Sequence, residues 1–345
     1  MTEIAHAAEL DANGDHSAAI AMLVKSVNKG SVAATLHLAA RYLFADRAPY
    51  SPVDALQLFE RACALGSPEA PALQSILLAL GYQCPQDWRR ALDKMMLAAQ
   101  RGLLLAQEQL LLLSGNRKIV SRRSDSAGYW SEVANSINLQ AWLAAPPYRD
   151  LSVDPVVRLF PGFASKEVCQ WLIKRSRPRL QRAQVYDAVH QQITTNRTRT
   201  NSSVSFALFD TDLVNILVQW RMANCLHMPV GNFETATVLH YAPGEEITEH
   251  FDFIDPNAPN YREQIATRGQ RVVTFLVYLN DNYAGGETEF PRLDLRHKAV
   301  RGDGLFFVNV SADGSPNLRT IHAGRPPVDK EKWIMSQFVR QNQVF

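Results

Sequence analysis

The chain has 345 residues, with 36 Lys and Arg against 34 Asp and Glu and a net charge of +2. So even a balance supplies no field for nucleic acid, and the basic clusters at Arg175 to Arg182 and Arg197 to Arg199 are too short to make one. No apolar run reaches the length of a membrane span, and four scattered cysteines, Cys63, Cys84, Cys169 and Cys225, lack paired metal spacing and read as thiols in a reducing compartment.

The amino terminus, Met-Thr-Glu-Ile-Ala-His-Ala-Ala, has neither the basic segment nor the apolar core of an export signal and leads straight into a repeat. Gly30, Gly66 and Gly102 recur with a period of 36. Ala19, Ala55 and Ala91 keep the same step, as do Ala34, Ala70 and Ala106. Each unit predicts a helix ending near its glycine, a turn at positive φ, then a second helix whose small alanine lets its neighbour approach. Stacked helix pairs make an α-helical solenoid with a concave surface suited to a protein or peptide. Over residues 1–113 the period and the Ala/Gly placement resemble Sel1-like repeats, relatives of the tetratricopeptide class.

Residues 114–150 read as a linker: a polar, basic stretch from Ser114 to Ser126, then one helix around Tyr129 to Leu143 that stops before Pro146-Pro147. Trp130 and Trp142 are expected to dock that helix onto one of the domains. Two domains also agree with the chain's length.

From residue 151 the pattern changes. A helix is expected after Ser165 as N-cap, followed by short runs punctuated by Gly and Pro: Thr235–Tyr241, Val272–Leu279, Gly304–Val310 and Lys332–Arg340. These suggest a double-stranded β-helix, or jelly roll, buttressed by helices. Asp255 to Gln270 reads as a long loop and candidate lid whose Tyr261, Arg262 and Arg268 could meet a substrate. Within this region His250 and Asp252 stand two apart, so on a strand both side chains share a face while Phe251 and Phe253 point away into packing. His322 in Thr-Ile-His-Ala-Gly offers a third ligand from another strand. Two histidines and one carboxylate make the facial triad that leaves open positions on Fe(II). Lys332 begins the last strand, sharing its face with Ile334, Ser336, Phe338 and Arg340, and its compact charge suits one carboxylate of a dicarboxylate.

Seven segments in order, among them Val157–Cys169, Glu234–Tyr241, His250-Phe-Asp252, Gln270–Leu279, Gly285–Pro291, Arg301–Phe307 and His322–Trp333, resemble the prolyl 4-hydroxylase branch of the Fe(II)/2-oxoglutarate dioxygenases over residues 151–345. The resemblance implies that His250, Asp252 and His322 hold iron, that Lys332 anchors 2-oxoglutarate, and that Tyr241 and Thr274 hydrogen-bond it. It implies Fe(II), 2-oxoglutarate and O2, with ascorbate as a candidate addition, and hydroxylation coupled to release of succinate and CO2. Glu234 and Arg199 resemble substrate-side positions. Ile247, Phe338 and Arg340 stand where the family often has tyrosine, tryptophan and histidine, so the iron centre matches better than the substrate pocket. The expected function is a cytoplasmic hydroxylase of a prolyl or other residue in a protein recruited by the repeats. Two other readings stay open: a hydroxylase of a free amino acid or small metabolite, and a non-catalytic helical-repeat adaptor.

Overall fold

A computed structural model describes residues 2–344 apart from 117–125, 184, 188–191, 195–197, 259–260 and 299. It divides into two compact units, residues 1–138 and 139–345. Among the described residues no helix is long and apolar enough to cross a membrane.

The first unit is all helix: α1 (Glu3–Ala12), α2 (His16–Asn28), α3 (Val32–Phe44), α4 (Pro52–Ala64), α5 (Glu69–Leu80), α6 (Trp88–Gln100), α7 (Leu104–Ser114) and α8 (Ala127–Asn135). Gly30, Gly66 and Gly102 take φ of 86°, 90° and 86° at the turns between α2 and α3, α4 and α5, and α6 and α7. All six repeat alanines are fully buried, because a larger side chain would hold the helices apart. One recurring feature was not visible in the sequence. Arg61 donates to the Val27 carbonyl at 2.6 Å, and Arg101 donates to the Cys63 and Ser67 carbonyls at 2.9 and 2.8 Å. Val27 and Cys63 lie in the last turn of the first helix of the preceding pair and Ser67 in the turn after it; the Val27 and Cys63 carbonyls also accept from the Gly30 and Gly66 amides at 3.0 Å each.

The single helix expected around Tyr129 to Leu143 is two. The Ser136 hydroxyl donates to the Val133 carbonyl at 2.7 Å and closes α8, a local bond that competes with continuing the helix. Trp130 is fully buried in the first unit. The short α9 (Leu139–Leu143) belongs to the second, where Asn224 donates to the Leu143 carbonyl at 2.8 Å. Most of the basic linker, from 117 to 125, lies outside the described residues, as does Arg197.

The second unit is a jelly roll of two antiparallel sheets. Its strands are β1 (Arg149–Val153), β2 (Val156–Phe160), β3 (Gln181–Arg182), β4 (Val185–Asp187), β5 (Gln192–Thr194), β6 (Ser202–Ser205), β7 (Thr237–Tyr241), β8 (Ile247–His250), β9 (Arg271–Tyr278), β10 (Thr288–Phe290), β11 (Leu295–His297), β12 (Gly304–Val308), β13 (His322–Gly324) and β14 (Lys332–Arg340). The large sheet runs β1-β2-β12-β9-β14-β7-β6-β3 and the small one β11-β10-β13-β8, with β4 and β5 a separate hairpin. Alternation sorts the central strands. Leu239, Tyr241, Leu276, Tyr278, Phe307 and Ile334 cluster with Phe290 of the small sheet. The opposite face carries Phe275 and Phe306, which meet Phe160 at ring distances of 5.8 Å each. Helices α10 (Lys166–Ser176) and α11 (Leu213–Leu226) buttress the unit. Ser165 caps α10 by accepting from the Val168 amide at 3.3 Å, and Gln219 of α11 donates to Gln337 of β14 at 2.9 Å. The segment expected as a bare loop after Asp255 contains a short helix, α12 (Arg262–Arg268).

Candidate metal centre and co-substrate pocket

β8 and β13 pair so that His250 and His322 stand directly opposite each other, and their ring centroids are 4.2 Å apart. Asp252 lies just past the end of β8, with its two oxygens 3.5 Å from His250 Nε2 and 3.4 Å from His322 Nε2. One ligand atom from each of the three falls within 4.8 Å of the others. His250 Nδ1 lies 2.9 Å from the Thr248 carbonyl and His322 Nδ1 lies 3.0 Å from that of Thr320. A carbonyl only accepts, so each Nδ1 carries the proton and each Nε2 presents a lone pair inward, as a metal ligand requires.

The electrostatics fit a cation. Burial pulls the His250 pKa down, but the hydrogen bond and charge of Asp252 outweigh it and hold the imidazole above its ordinary value. Burial likewise pushes Asp252 up, yet the two histidines keep it well below the usual carboxylate range. Positive charge is wanted at the point where the three side chains meet, and two neutral nitrogens with one carboxylate are a donor set that suits Fe(II).

Two details differ from what the sequence leads one to expect. Asp252 is held by the Thr274 hydroxyl, which donates to its Oδ2 at 2.8 Å, while Asn309 donates to Thr274 Oγ1 at 3.0 Å. Thr274, expected to bond the co-substrate, is therefore engaged with the carboxylate. Phe251 lines the cavity and stacks on Phe253 at 4.6 Å, because β8 stops at His250 and the backbone turns.

A cavity of about 1070 Å³ opens beside the triad. Lys332 is fully buried within its wall, opposite Tyr241 in the register of β14 and β7, with Nζ 4.9 Å from the Tyr241 ring. Its ammonium has no hydrogen-bond partner among the described residues. Burial, with repulsion from Lys298, lowers its pKa to about 7. An orphaned cation facing a cavity marks the place of an anion. Gly286 makes room for it: at φ +71°, a Cβ there would lie 2.6 Å from the Tyr283 ring and 3.2 Å from Lys332 Cδ.

The substrate-side candidates separate. Arg199, Ile247 and Phe338 line the cavity, as does Tyr261. Arg262 starts α12 and is not among the lining residues. Glu234 and Arg340 are not lining residues either; they are joined in an ion pair at 2.5 Å, and Arg340 is buried with its Nη1 on the Gly269 carbonyl. The register between β14 and β9 shifts between Val339 and Arg340, where Val272 of β9 is skipped, and the cavity lining on β14 stops at Phe338. Three residues went unnoticed in the sequence. Arg271 lines the cavity, with its guanidinium over the Phe338 ring at 4.0 Å and both ends of its fork on Glu234 at 2.8 Å. Asn309 is the one amide in the apolar run Leu305–Val310, a signal that could have found it. Gly286 carried only the generic signal of a Gly-Gly pair.

Residues 236–340 match the family profile of the 2OG-Fe(II) oxygenase superfamily. Prolyl 4-hydroxylase 13 of Arabidopsis thaliana is 28% identical over 241 residues, spanning 65% of this chain and 81% of that protein. The viral collagen prolyl hydroxylase of Paramecium Bursaria Chlorella virus-1, solved with 2OG, is 25% identical with a TM-score of 0.42 and covers 53% of this chain and 95% of its own. A Sel1 repeat protein from Oxalobacter formigenes aligns at 22% identity and a TM-score of 0.27, over 37% of this chain and 53% of its own.

Proposed function

We propose that this chain, whose residues 236–340 are an oxygenase domain of the 2OG-Fe(II) superfamily, is a hydroxylase acting on a prolyl residue of a protein or peptide. His250, Asp252 and His322 would hold Fe(II). Lys332 would pair with the distal carboxylate of 2-oxoglutarate, with Tyr241 beside it. The bound metal, with 2-oxoglutarate and O2, supplies the conversion of a C–H bond to C–OH as the co-substrate leaves as succinate and CO2.

The chain's own residues do the positioning. The Thr248 and Thr320 carbonyls fix both imidazoles in the ligating tautomer, and Thr274 fixes the carboxylate. Lys332 is fully buried, with the Tyr241 ring 4.9 Å from its Nζ, and the exclusion of water strengthens its attraction for an anion. The observation that carries the reading is the pairing of this inward-facing triad, in one cavity, with a buried ammonium that has no partner among the described residues. Such a cavity exceeds what the co-substrate needs and leaves space for a substrate.

The 36-residue repeats of the first unit supply a second surface, and recruitment of the target protein is its proposed role. Ile247 and Phe338 in the cavity wall favour a second reading: a free amino acid or small metabolite takes the place of the peptide. Succinate formation by the full chain, with Fe(II) and 2-oxoglutarate, is measured alone, with a proline-containing peptide and with free proline. Peptide-stimulated turnover with a hydroxyl on the proline supports the reading. Stimulation by free proline alone selects the second, and no Fe(II)-dependent succinate in any arm rejects both.

A further inference from the structure

The charges around the cavity do not cancel. The divalent metal, Asp252, the dianionic co-substrate and Lys332 would neutralise one another. Two arginines in the wall have carboxylate partners of their own, Arg179 with Asp210 at 2.9 Å and Arg182 with Glu245 at 3.2 Å, and the wall's other carboxylate, Glu249, pairs with Arg325 at 3.6 Å. That leaves Arg199 and Arg271.

Arg199 has no carboxylate partner among the described residues. Its Nε donates to Asn201 Oδ1 at 3.1 Å, and Asn201 is itself fully buried and tied by its amide to the Ser202 carbonyl at 2.8 Å. The backbone beside it bridges to Ile247, three residues before His250. The guanidinium is thus held at the cavity wall by its Nε edge, and neither of its two terminal nitrogens has a partner among the described residues. Arg271 presents the same imbalance by another route. Glu234 is its partner, but the same carboxylate also pairs with Arg340, so two guanidiniums share one negative charge. Arg340 is buried and is not a lining residue, whereas Arg271 lines the cavity with its guanidinium over the Phe338 ring, so the surplus reaches the cavity at Arg271. A fixed guanidinium fork suits a carboxylate.

We propose that the substrate carries an anionic side chain, a carboxylate near the residue to be hydroxylated, and that Arg199 and Arg271 receive it. This rests on the hydroxylase reading above and names its substrate class as an acidic peptide.

Full-length protein is tested with three peptides of one length, in which the residues flanking proline are Asp, Asn or Lys, and with free aspartate. Binding to Mn(II)- and 2-oxoglutarate-loaded protein is read by fluorescence anisotropy, and kcat/KM by succinate formation with Fe(II). The Asp peptide is expected to exceed the Asn peptide by about tenfold in both at low salt, and the Lys peptide to fall below it. The advantage should shrink as salt rises. Arg199→Glu is expected to reverse the order in favour of Lys, a result that a misfolded variant would not give. Equal handling of the three peptides, or preference for Lys by the unaltered protein, overturns the inference even if turnover proceeds. Asp-selective binding without turnover rejects the prolyl reading and keeps the anionic contact. Free aspartate that outcompetes the peptides overturns the peptide assignment.

Discussion

The Thr274 hydroxyl donates to Asp252 Oδ2 at 2.8 Å, and Asn309 Nδ2, donating to Thr274 Oγ1 at 3.0 Å, leaves that hydroxyl's single proton no better use. The carboxylate is aimed before any metal arrives. Thr274→Val keeps the shape and removes the bond, and is expected to weaken Co(II) or Mn(II) binding by about 10- to 100-fold, the usual effect of losing such an outer hydrogen bond. Calorimetry on metal-free protein reads this directly. Thr274→Ser should retain the affinity, and 2-oxoglutarate affinity at saturating metal should barely change. A shift in 2-oxoglutarate affinity alone would return Thr274 to the co-substrate.

His250→Ala or Asp252→Ala is expected to abolish Fe(II)-dependent succinate formation and the absorbance of a Co(II)-loaded site. Either variant that keeps a Co(II) spectrum like that of the unaltered protein would place the metal elsewhere.

Lys332 makes a prediction in pH. Its pKa is about 7 in the folded protein, against an ordinary value of 10.5. Between those values the unfolded chain binds more protons than the folded one, so stability of the ligand-free protein should rise with pH across that window, and the full cost is felt below about pH 7. Binding the co-substrate needs the charged form. Affinity for 2-oxoglutarate should therefore be highest below about pH 7 and weaken above it by up to about tenfold per unit, because the protein must first take up a proton. Lys332→Met should flatten the stability slope and lose 2-oxoglutarate binding. Urea unfolding across pH 7 to 10 and binding titrations at matched pH check both halves.

Gly286→Ala should raise the 2-oxoglutarate requirement while leaving metal affinity unchanged. The added methyl would strike the Tyr283 ring and press on Lys332 Cδ, moving the ammonium rather than the triad. Parallel titrations of Mn(II) and 2-oxoglutarate separate the two effects.

In the helical unit, Gly66→Ala meets no neighbouring atom within 4 Å, so its cost is that of φ +90° alone, about 1–2 kcal/mol for an L-residue. Chemical denaturation followed by circular dichroism measures it. A change near zero would mean that the turn relaxes.

Gly30, Gly66 and Gly102 gave away the helical unit because a positive φ and a close helix approach each admit few residue types, so geometry leaves a regular mark in the letters. The triad and Lys332 were legible for a related reason: ligands and an ammonium in a cavity are chemically unusual on strands. The bond from Thr274 to Asp252 was not legible because a threonine hydroxyl can turn toward more than one acceptor, and here Asn309, 35 positions away in the chain, donates to its oxygen. The burial of Arg340 against Glu234 was not legible because it depends on a residue more than a hundred positions away, where β14 and β9 also shift register. The break after α8 depends on one serine hydroxyl turning back on its own helix, a bond that competes closely with helix continuation.

Arg61 and Arg101 give the first unit a direction. Each reaches back to donate to carbonyls in the last turn of a helix or in the turn after it in the preceding pair, at Val27 and at Cys63 and Ser67, so a given pair gains support from the one that follows it. Losing a pair from the carboxyl side would strip its predecessor of those donors, whereas losing one from the amino side would leave the remaining helix ends served. Opening of the array should therefore travel from its carboxyl end toward residue 1, with α2 protected longest.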